Sequence, residues 1–503
     1  MVRELLRGDR SYSELRQALP TLSDKVPSDR LAHLAAVDVV DVVDVVERDR
    51  PRPIFSRPAA PSAAVGDPTD LNRVAHHIDL MSRRRGQLAS GGRQRRTKEG
   101  AAMSAQHEAD TATTHRVLIL GAGYAGTAAA IQCAARVGQR QDVEVTLVNA
   151  QERFTERLRL HMAATGQQLA ELTVPELLKG TGARFVRGWV TAVDADARTV
   201  RIDDDRVLHY DTLVYGLGSV ADTAAVPGVE DHAYTLNSAQ DAEMLADRLA
   251  RLGSGTVVVG GSGLTGVESA AEIAERHPEL DVVLLGRYEP GAAMNAKARA
   301  YLQGALDRLG VRVLSGVEVV KVLPGAVEQA GGETIGADVV LWTSGTRVSP
   351  LAAAAGLTVD GHGRIATDAA LRSVSHPEVY AVGDAAAIRQ GYGVMHGTCQ
   401  GGMPTGVHAA VSIVRSLEGR PPKPFRFGYY HTPVSLGRHD AVVQFTRPDD
   451  SPRRLHLTGR TAAWYKETVT ASPWPTYGRM RKMPASGAFW PRGGRFTRSG
   501  EAL

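Results

Sequence analysis

Two glycine patterns carry the clearest chemistry in this chain: Gly121-Ala-Gly123-Tyr-Ala-Gly126 and, 140 residues later, Gly261-Ser-Gly263-Leu-Thr-Gly266. This spacing lets a strand turn sharply into a helix. Glycine removes the Cβ that would hold a phosphate away from the backbone, and the free N–H groups at the helix start then face the anion. One such turn implies a bound dinucleotide. Two imply that electrons pass between two of them.

The surrounding elements have to position these turns. An apolar run, His115-Arg-Val-Leu-Ile-Leu120, precedes the first, and an alanine-rich segment from Thr127 to Val137 follows it. A further run from Val143 to Asn149 completes a strand, helix, strand unit of the expected length. The second turn repeats the plan with Thr256–Val259, Val267–Ala274 and Val282–Leu285. The pattern predicts an α/β chain built on parallel sheets.

Further motifs extend the reading. Tyr215-Gly-Leu-Gly-Ser219 and Trp342-Thr-Ser-Gly345 each follow a short apolar strand, and Val379-Tyr-Ala-Val-Gly-Asp384 is an apolar strand ending in Gly-Asp, preceded by Gly363-Arg-Ile-Ala-Thr-Asp368. With these in place, the chain from about Thr114 to Arg492 resembles the two-dinucleotide-binding-domain flavoproteins. Within them it is most similar to type II NADH dehydrogenase-like oxidoreductases. The resemblance implies two Rossmann-like dinucleotide-binding domains, the NAD(P) domain inserted in the FAD domain, with a small α+β C-terminal domain. It places FAD at Gly121, Gly123, Gly126 and Asn149, with Asp384 on its ribityl chain, and NAD(P)H at Gly261, Gly263 and Gly266. The implied boundaries are 113–230 and 347–420 for FAD, 231–346 for NAD(P)H and 421–503 for the C-terminal part. The implied reaction moves hydride from NADH or NADPH to the flavin and then electrons to an acceptor, a quinone by resemblance. A ferredoxin-type protein partner fits the same motifs and stays open.

Choice of nucleotide depends on the end of the second strand in each unit, where a carboxylate usually meets the adenosine ribose. The first unit offers Asn149, which can still hydrogen-bond a ribose. The second has Gly286 followed by Arg287, with Glu289 nearby. Loss of the acid beside a guanidinium favours a 2′-phosphate, so Arg287 is expected to let NADPH serve at least as well as NADH.

The acceptor side is less marked. Cys133 and Cys399 are the only cysteines and form no C-x-x-C pair, which argues against a dithiol reductase. Cys399 stands in Met395-His-Gly-Thr-Cys-Gln-Gly-Gly-Met-Pro-Thr405. There the similar proteins start a helix with an Ala-Gln motif beside flavin and quinone. Gln400 matches one Gln, and Pro404 replaces a second. Arg153-Phe-Thr-Glu-Arg-Leu-Arg-Leu-His-Met-Ala-Ala-Thr-Gly166 resembles the segment lining the flavin ring. His161 and Arg157 are candidate cations for a reduced flavin, or residues placed away from it. His161, Cys399 and Gln400 are thus the candidates near the flavin, and no metal site is expected.

No run of about 18 apolar residues is present, so no membrane-spanning helix is expected. Basic and aromatic residues interleave at the C-terminus (Trp464, Lys466, Trp474, Tyr477, Arg481, Trp490). They suit peripheral contact with the inner face of a membrane, a solvated tail or a docking surface for a second subunit, which leaves a homodimer open. Sparse cysteine fits a cytoplasmic setting.

The leader reads differently. Up to Ala102 the chain holds 18 Lys and Arg against 14 Asp and Glu, leaving 41 of each thereafter, so the net charge of +4 belongs to the leader. Basicity therefore says nothing of nucleic-acid binding by the body. Residues 1–50 resemble a degraded HxlR-type winged helix, with Pro27 inside the would-be recognition helix and a Val-Val-Asp repeat beyond it. Residues 51–112 lack periodicity and read as a disordered linker or untranslated leader. A DNA-binding redox regulator is the competing class, opposed by Pro27 and the missing wing. Lys98-Glu99-Gly100 can be encoded by a ribosome-binding sequence ahead of Met103, so translation is expected to begin at Met103. A chain starting there should keep full cofactor content and activity. A peptide from before Met103 in the native protein would contradict that start.

Overall fold

The computed structural model describes residues 114–498 except 139 and 204. The regulator-like segment 1–50, the linker 51–112 and the Met103 start lie outside the described residues. The described residues belong to a single compact unit.

The chain first lays down β1 (His115–Leu120), helix α1 (Tyr124–Val137), β2 (Val143–Asn149), the short helix α2 (Leu160–Ala163), β3 (Arg184–Arg187) and β4 (Thr212–Tyr215). These strands run parallel in the order β4-β1-β2-β3. Such a sheet is apolar on both faces, as buried parallel strands require. Val117 and Ile119 pack toward α1, while Leu118 and Leu120 face the opposite core. An antiparallel three-stranded sheet spanning residues 190–209 is inserted before β4.

The same plan follows again. β5 (Gly255–Gly260), α3 (Leu264–Arg276), β6 (Leu280–Gly286), α4 (Ala296–Arg308), β7 (Arg312–Ser315) and β8 (Val339–Trp342) give a parallel sheet in the order β7-β6-β5-β8. It too carries an antiparallel three-stranded insertion, residues 319–336, before its last strand. The chain then returns through β9 (Val379–Ala381), which pairs in parallel with β4 in the first sheet. The second sheet is thus inserted within the first, as the motif order implied. The two crossings, Ser219–Ala221 and Thr346–Val348, pair antiparallel with each other.

Helix α5 (Cys399–Leu417) lies against α1 on the first sheet and stays helical through Pro404. Gly406 makes that approach close, because a Cβ there would run into the carbonyl oxygen of Ala125. The C-terminal part is an antiparallel sheet of β10 (His431–Ser435), β11 (Ala441–Thr446) and β12 (Pro452–Thr458), followed by α6 (Gly459–Ala471) and α7 (Pro473–Lys482).

Much of the basic-aromatic tail turns inward. Phe154 is ringed by Tyr124, Trp474 and Tyr477 at centroid distances of 5.2, 5.5 and 5.8 Å. The Tyr477 hydroxyl donates to the Tyr124 carbonyl at 2.9 Å, and Arg481 reaches the carbonyls of Leu177 and Lys179. These residues dock α7 on the first sheet and are not a solvated tail. Trp464 and Phe489 remain exposed.

Among the described residues no helix is long and apolar enough to cross a membrane. Replacing Gly406 by Ala should overpack the α1–α5 contact and cost about 1–3 kcal/mol. Thermal melts should show this as a lower Tm.

Candidate active site

Each glycine turn divides its labour among three residues in the same way. Gly121 has a φ of +89°, and Gly126 has no room for a Cβ because the Gly121 carbonyl lies against it. Gly261 has a φ of +123°, and Gly266 is pressed on the Gly261 carbonyl in the same manner. The first and third glycines are therefore required by the fold itself. The middle ones are not: a Cβ on Gly123 or Gly263 would meet nothing within 4 Å. Open space at the mouth of a helix is where a pyrophosphate must approach the backbone.

The helix starts agree. Neither α1 nor α3 has a side-chain cap or an acidic residue in its first turn. By contrast α4 is capped by Asn295 and α5 by Thr398. The first-turn N–H groups of α1 and α3 thus face the open cradles without a side-chain acceptor, as an anion site needs. The residues present fit two dinucleotide phosphates.

The strand ends differ between the two units. Asn149 accepts the Ala122 N–H at 2.9 Å and donates to the Gln151 carbonyl at 2.7 Å, so its amide braces the first turn. At the second turn Arg287, the guanidinium expected to favour a 2′-phosphate, is exposed and has a carboxylate partner. It forms an ion pair with Glu318 at 2.6 Å. Sequence reasoning missed that partner, which lies 31 residues away beyond the neighbouring strand.

Asp384 follows β9 and opens into a cavity of about 270 Å³ lined also by Ser219, Thr346, Arg364, Met395 and Thr398. Its Oδ2 accepts the Ser219 hydroxyl at 2.8 Å, and Arg157 donates to the Ser219 carbonyl at 2.7 Å. The fold therefore brings Arg157, Ser219 and Asp384 together from three distant stretches. Thr405 accepts the Gly383 N–H at 3.0 Å and so ties this turn to α5. Gln400 has another job: its amide donates to the His431 carbonyl and accepts the Tyr430 N–H. Both ends of that side chain are committed to pinning β10.

A family model for pyridine nucleotide-disulphide oxidoreductases matches residues 115–412, more than half of the chain. The chain belongs to this family. An NADH dehydrogenase-like protein of Mycobacterium tuberculosis is 32% identical over 353 residues, covering 65% of this chain and 87% of the relative. A type II NADH:quinone oxidoreductase of Staphylococcus aureus is 28% identical, covering 70% and 94%. Among solved structures, Plasmodium falciparum NDH2 in complex with NADH superposes with a TM-score of 0.61 at 14% identity, covering 76% of this chain and all of that one. The protein is thus a pyridine nucleotide-dependent flavin oxidoreductase with an FAD site and a nicotinamide nucleotide site.

This member of the family lacks a redox dithiol. Cys133 and Cys399 are both free. Burial pushes the Cys133 thiol up to about 12 and Cys399 up to about 11, so both are protonated thiols at neutral pH and poor nucleophiles. Among the described residues no cluster of three or more His, Cys, Asp or Glu could hold a metal.

His161 is not a cation beside the ring. Burial lowers its pKa, attraction to Glu268 opposes this only in part, and Lys466 lowers it further. The neutral imidazole sits with Nδ1 3.9 Å from Glu268. Glu268 in turn pairs with Lys466 at 2.8 Å and accepts the Ser435 N–H at 3.0 Å. One turn further along α3, Glu272 pairs with Arg438 at 2.6 Å. These ion pairs lock α3 to the C-terminal part, and Lys466 is consumed inside rather than offered to a membrane. The signal for them was present in the sequence: two acids four apart on an otherwise apolar helix face need buried cations.

Burial alone would raise the pKa of Glu268, yet the Lys466 charge and the hydrogen bonds from Lys466 and the Ser435 N–H outweigh it and leave it lowered. A depressed carboxylate contributes stability above its unfolded pKa and loses it as pH falls through the folded value. Lys466→Ala should reverse the sign. Destabilisation of about 3–5 kcal/mol is expected at pH 8, shrinking as Glu268 becomes protonated on acidification. Denaturant melts at several pH values check this.

Proposed function

We propose that the protein takes hydride from NADH onto FAD at the first turn and passes the electrons to a quinone. The observation that carries the reading is the pair of open glycine cradles at uncapped helix starts, one of which shares its sheet with Asp384. The relatives support the partners: they are named as an NADH dehydrogenase-like protein and a type II NADH:quinone oxidoreductase, and the chain spans most of each.

FAD would lie across α1, with Gly123 open to its pyrophosphate and the α1 N–H groups facing the charge. Asp384, oriented by the Ser219 hydroxyl, keeps acceptor capacity for ribityl hydroxyls, and Arg157 fixes Ser219 from behind. When bound, FAD supplies the two-electron acceptor for hydride and releases electrons onward. NADH would lie across α3 through Gly263, and the Glu268–Lys466 pair holds that helix in register with the C-terminal part. Positioning then accounts for the hydride step, which needs stacked rings and no acid or base. The inert cysteines exclude a dithiol relay through Cys133 and Cys399.

A quinone is lipid-soluble, so the protein should meet a membrane from one side. Exposed Trp464, Met483 and Phe489 on the C-terminal part support peripheral contact at the inner face. Replacing Trp464 and Phe489 together by Ser should reduce co-sedimentation with anionic liposomes.

Anaerobic stopped-flow tests the reaction. NADH should bleach the flavin, and menadione should restore its colour faster than an oxidised ferredoxin does. Reoxidation by the ferredoxin alone would contradict the quinone assignment. Asp384→Ala removes a charged hydrogen-bond acceptor worth about 1.5–3 kcal/mol, so FAD should bind about tenfold or more weakly.

A further inference from the structure

The second glycine turn cannot carry the usual ribose carboxylate, and the reason is steric. A Cβ on Gly286, at the end of β6, would run into the Ser262 side chain. Ser262 is itself held there, its hydroxyl donating to the Tyr288 carbonyl at 2.7 Å. An acid at position 286 would have to displace that contact. The first unit shows the contrast, since its strand end keeps a polar side chain, Asn149, bonded into the turn.

A carboxylate arrives from the next strand instead. β6 and β7 pair in register, Gly286 opposite Ser315, and the Val317 N–H closes on the Gly286 carbonyl at 3.1 Å. Glu318 follows directly, and its Oε1 lies 2.6 Å from an Arg287 nitrogen. Both side chains are exposed, at 69% and 53%, so neither is held there by burial. The pair stands beside the strand end where a nicotinamide dinucleotide presents its adenosine ribose.

We propose that Glu318 sets the nucleotide specificity of this site. It supplies the negative charge absent at Gly286, and it occupies the Arg287 guanidinium, which at that strand end is suited to a 2′-phosphate. NADH is then favoured over NADPH in two ways: the carboxylate can accept from the ribose hydroxyl, and it repels a phosphate while keeping Arg287 engaged. An exposed ion pair is weak, so Arg287 becomes available to a phosphate once Glu318 loses its charge. The proposal rests on the nicotinamide reading of the second turn.

Equilibrium titration of the FAD-loaded protein with NAD⁺ and NADP⁺ tests it without turnover. Bound FAD, monitored in parallel, should be the same in wild type, Glu318→Gln, Arg287→Ala and the double variant. Wild type should bind NAD⁺ more tightly. Glu318→Gln should shift the NADP⁺ to NAD⁺ affinity ratio about tenfold toward NADP⁺, with the shift shrinking at high salt. Adding Arg287→Ala should shrink the shift to the part that comes from the lost ribose acceptor and the lost repulsion of phosphate. Normal NAD⁺ binding with an unchanged ratio in Glu318→Gln, or a shift undiminished without Arg287, overturns the proposal. Binding of neither nucleotide by wild type overturns the functional reading and this inference with it.

Discussion

A strand, a tight turn and a helix can share one phosphate site only if the helix backbone comes within contact of the turn, and glycine alone permits that approach. In this chain the constraint is met twice. Gly126 and Gly266 each press on the carbonyl of the first glycine in their own turn, and no side chain larger than hydrogen fits. Once those contacts are made, each helix start faces the end of its sheet, and the middle glycine is left as open space for a ligand. The doubled sheets, the crossing strands at Ser219–Ala221 and Thr346–Val348, and the return of the chain to the first sheet all serve to hold the two turns in one body.

The parts legible in the sequence are those whose chemistry is local. The glycine turns, their flanking strands and the Gly-Asp ending at Asp384 lie within short windows, and periodicity together with turn residues exposes them. The parts that were not legible depend on partners far apart in the chain. Lys466 reads as one of several basic residues in an aromatic tail until the fold sets it against Glu268, nearly two hundred residues earlier. Arg287 reads as a free phosphate ligand until Glu318 arrives from the neighbouring strand. Gln400 reads as a flavin or quinone neighbour, and a short window does not show that backbone groups of Tyr430 and His431 take both ends of its amide. His161 reads either as a candidate cation for a reduced flavin or as a residue placed away from it. Burial depth, which a sequence does not display, makes it neutral.

Charge is used in two different ways by this protein. Inside, Glu268 with Lys466 and Glu272 with Arg438 join α3 to the C-terminal part, where a broken pair would leave an uncompensated buried ion. At the surface, Arg287 with Glu318 contributes little to stability and is placed where a ligand's charge would be read. The first kind fixes geometry. The second kind selects what enters it.

On the proposed reading the two glycine turns hold two different dinucleotides, FAD at the first and NADH at the second. Gly123 and Gly263 isolate it, because a Cβ at either would meet no protein atom within 4 Å, so a small side chain there should leave the fold intact. The most direct measurement is FAD content per chain together with flavin reduction by NADH in Gly123→Val and Gly263→Val. Gly123→Val should be purified folded and without FAD, while Gly263→Val should be yellow and not reduced by NADH. FAD lost from Gly263→Val but retained by Gly123→Val, or normal reduction by NADH in both, would contradict it.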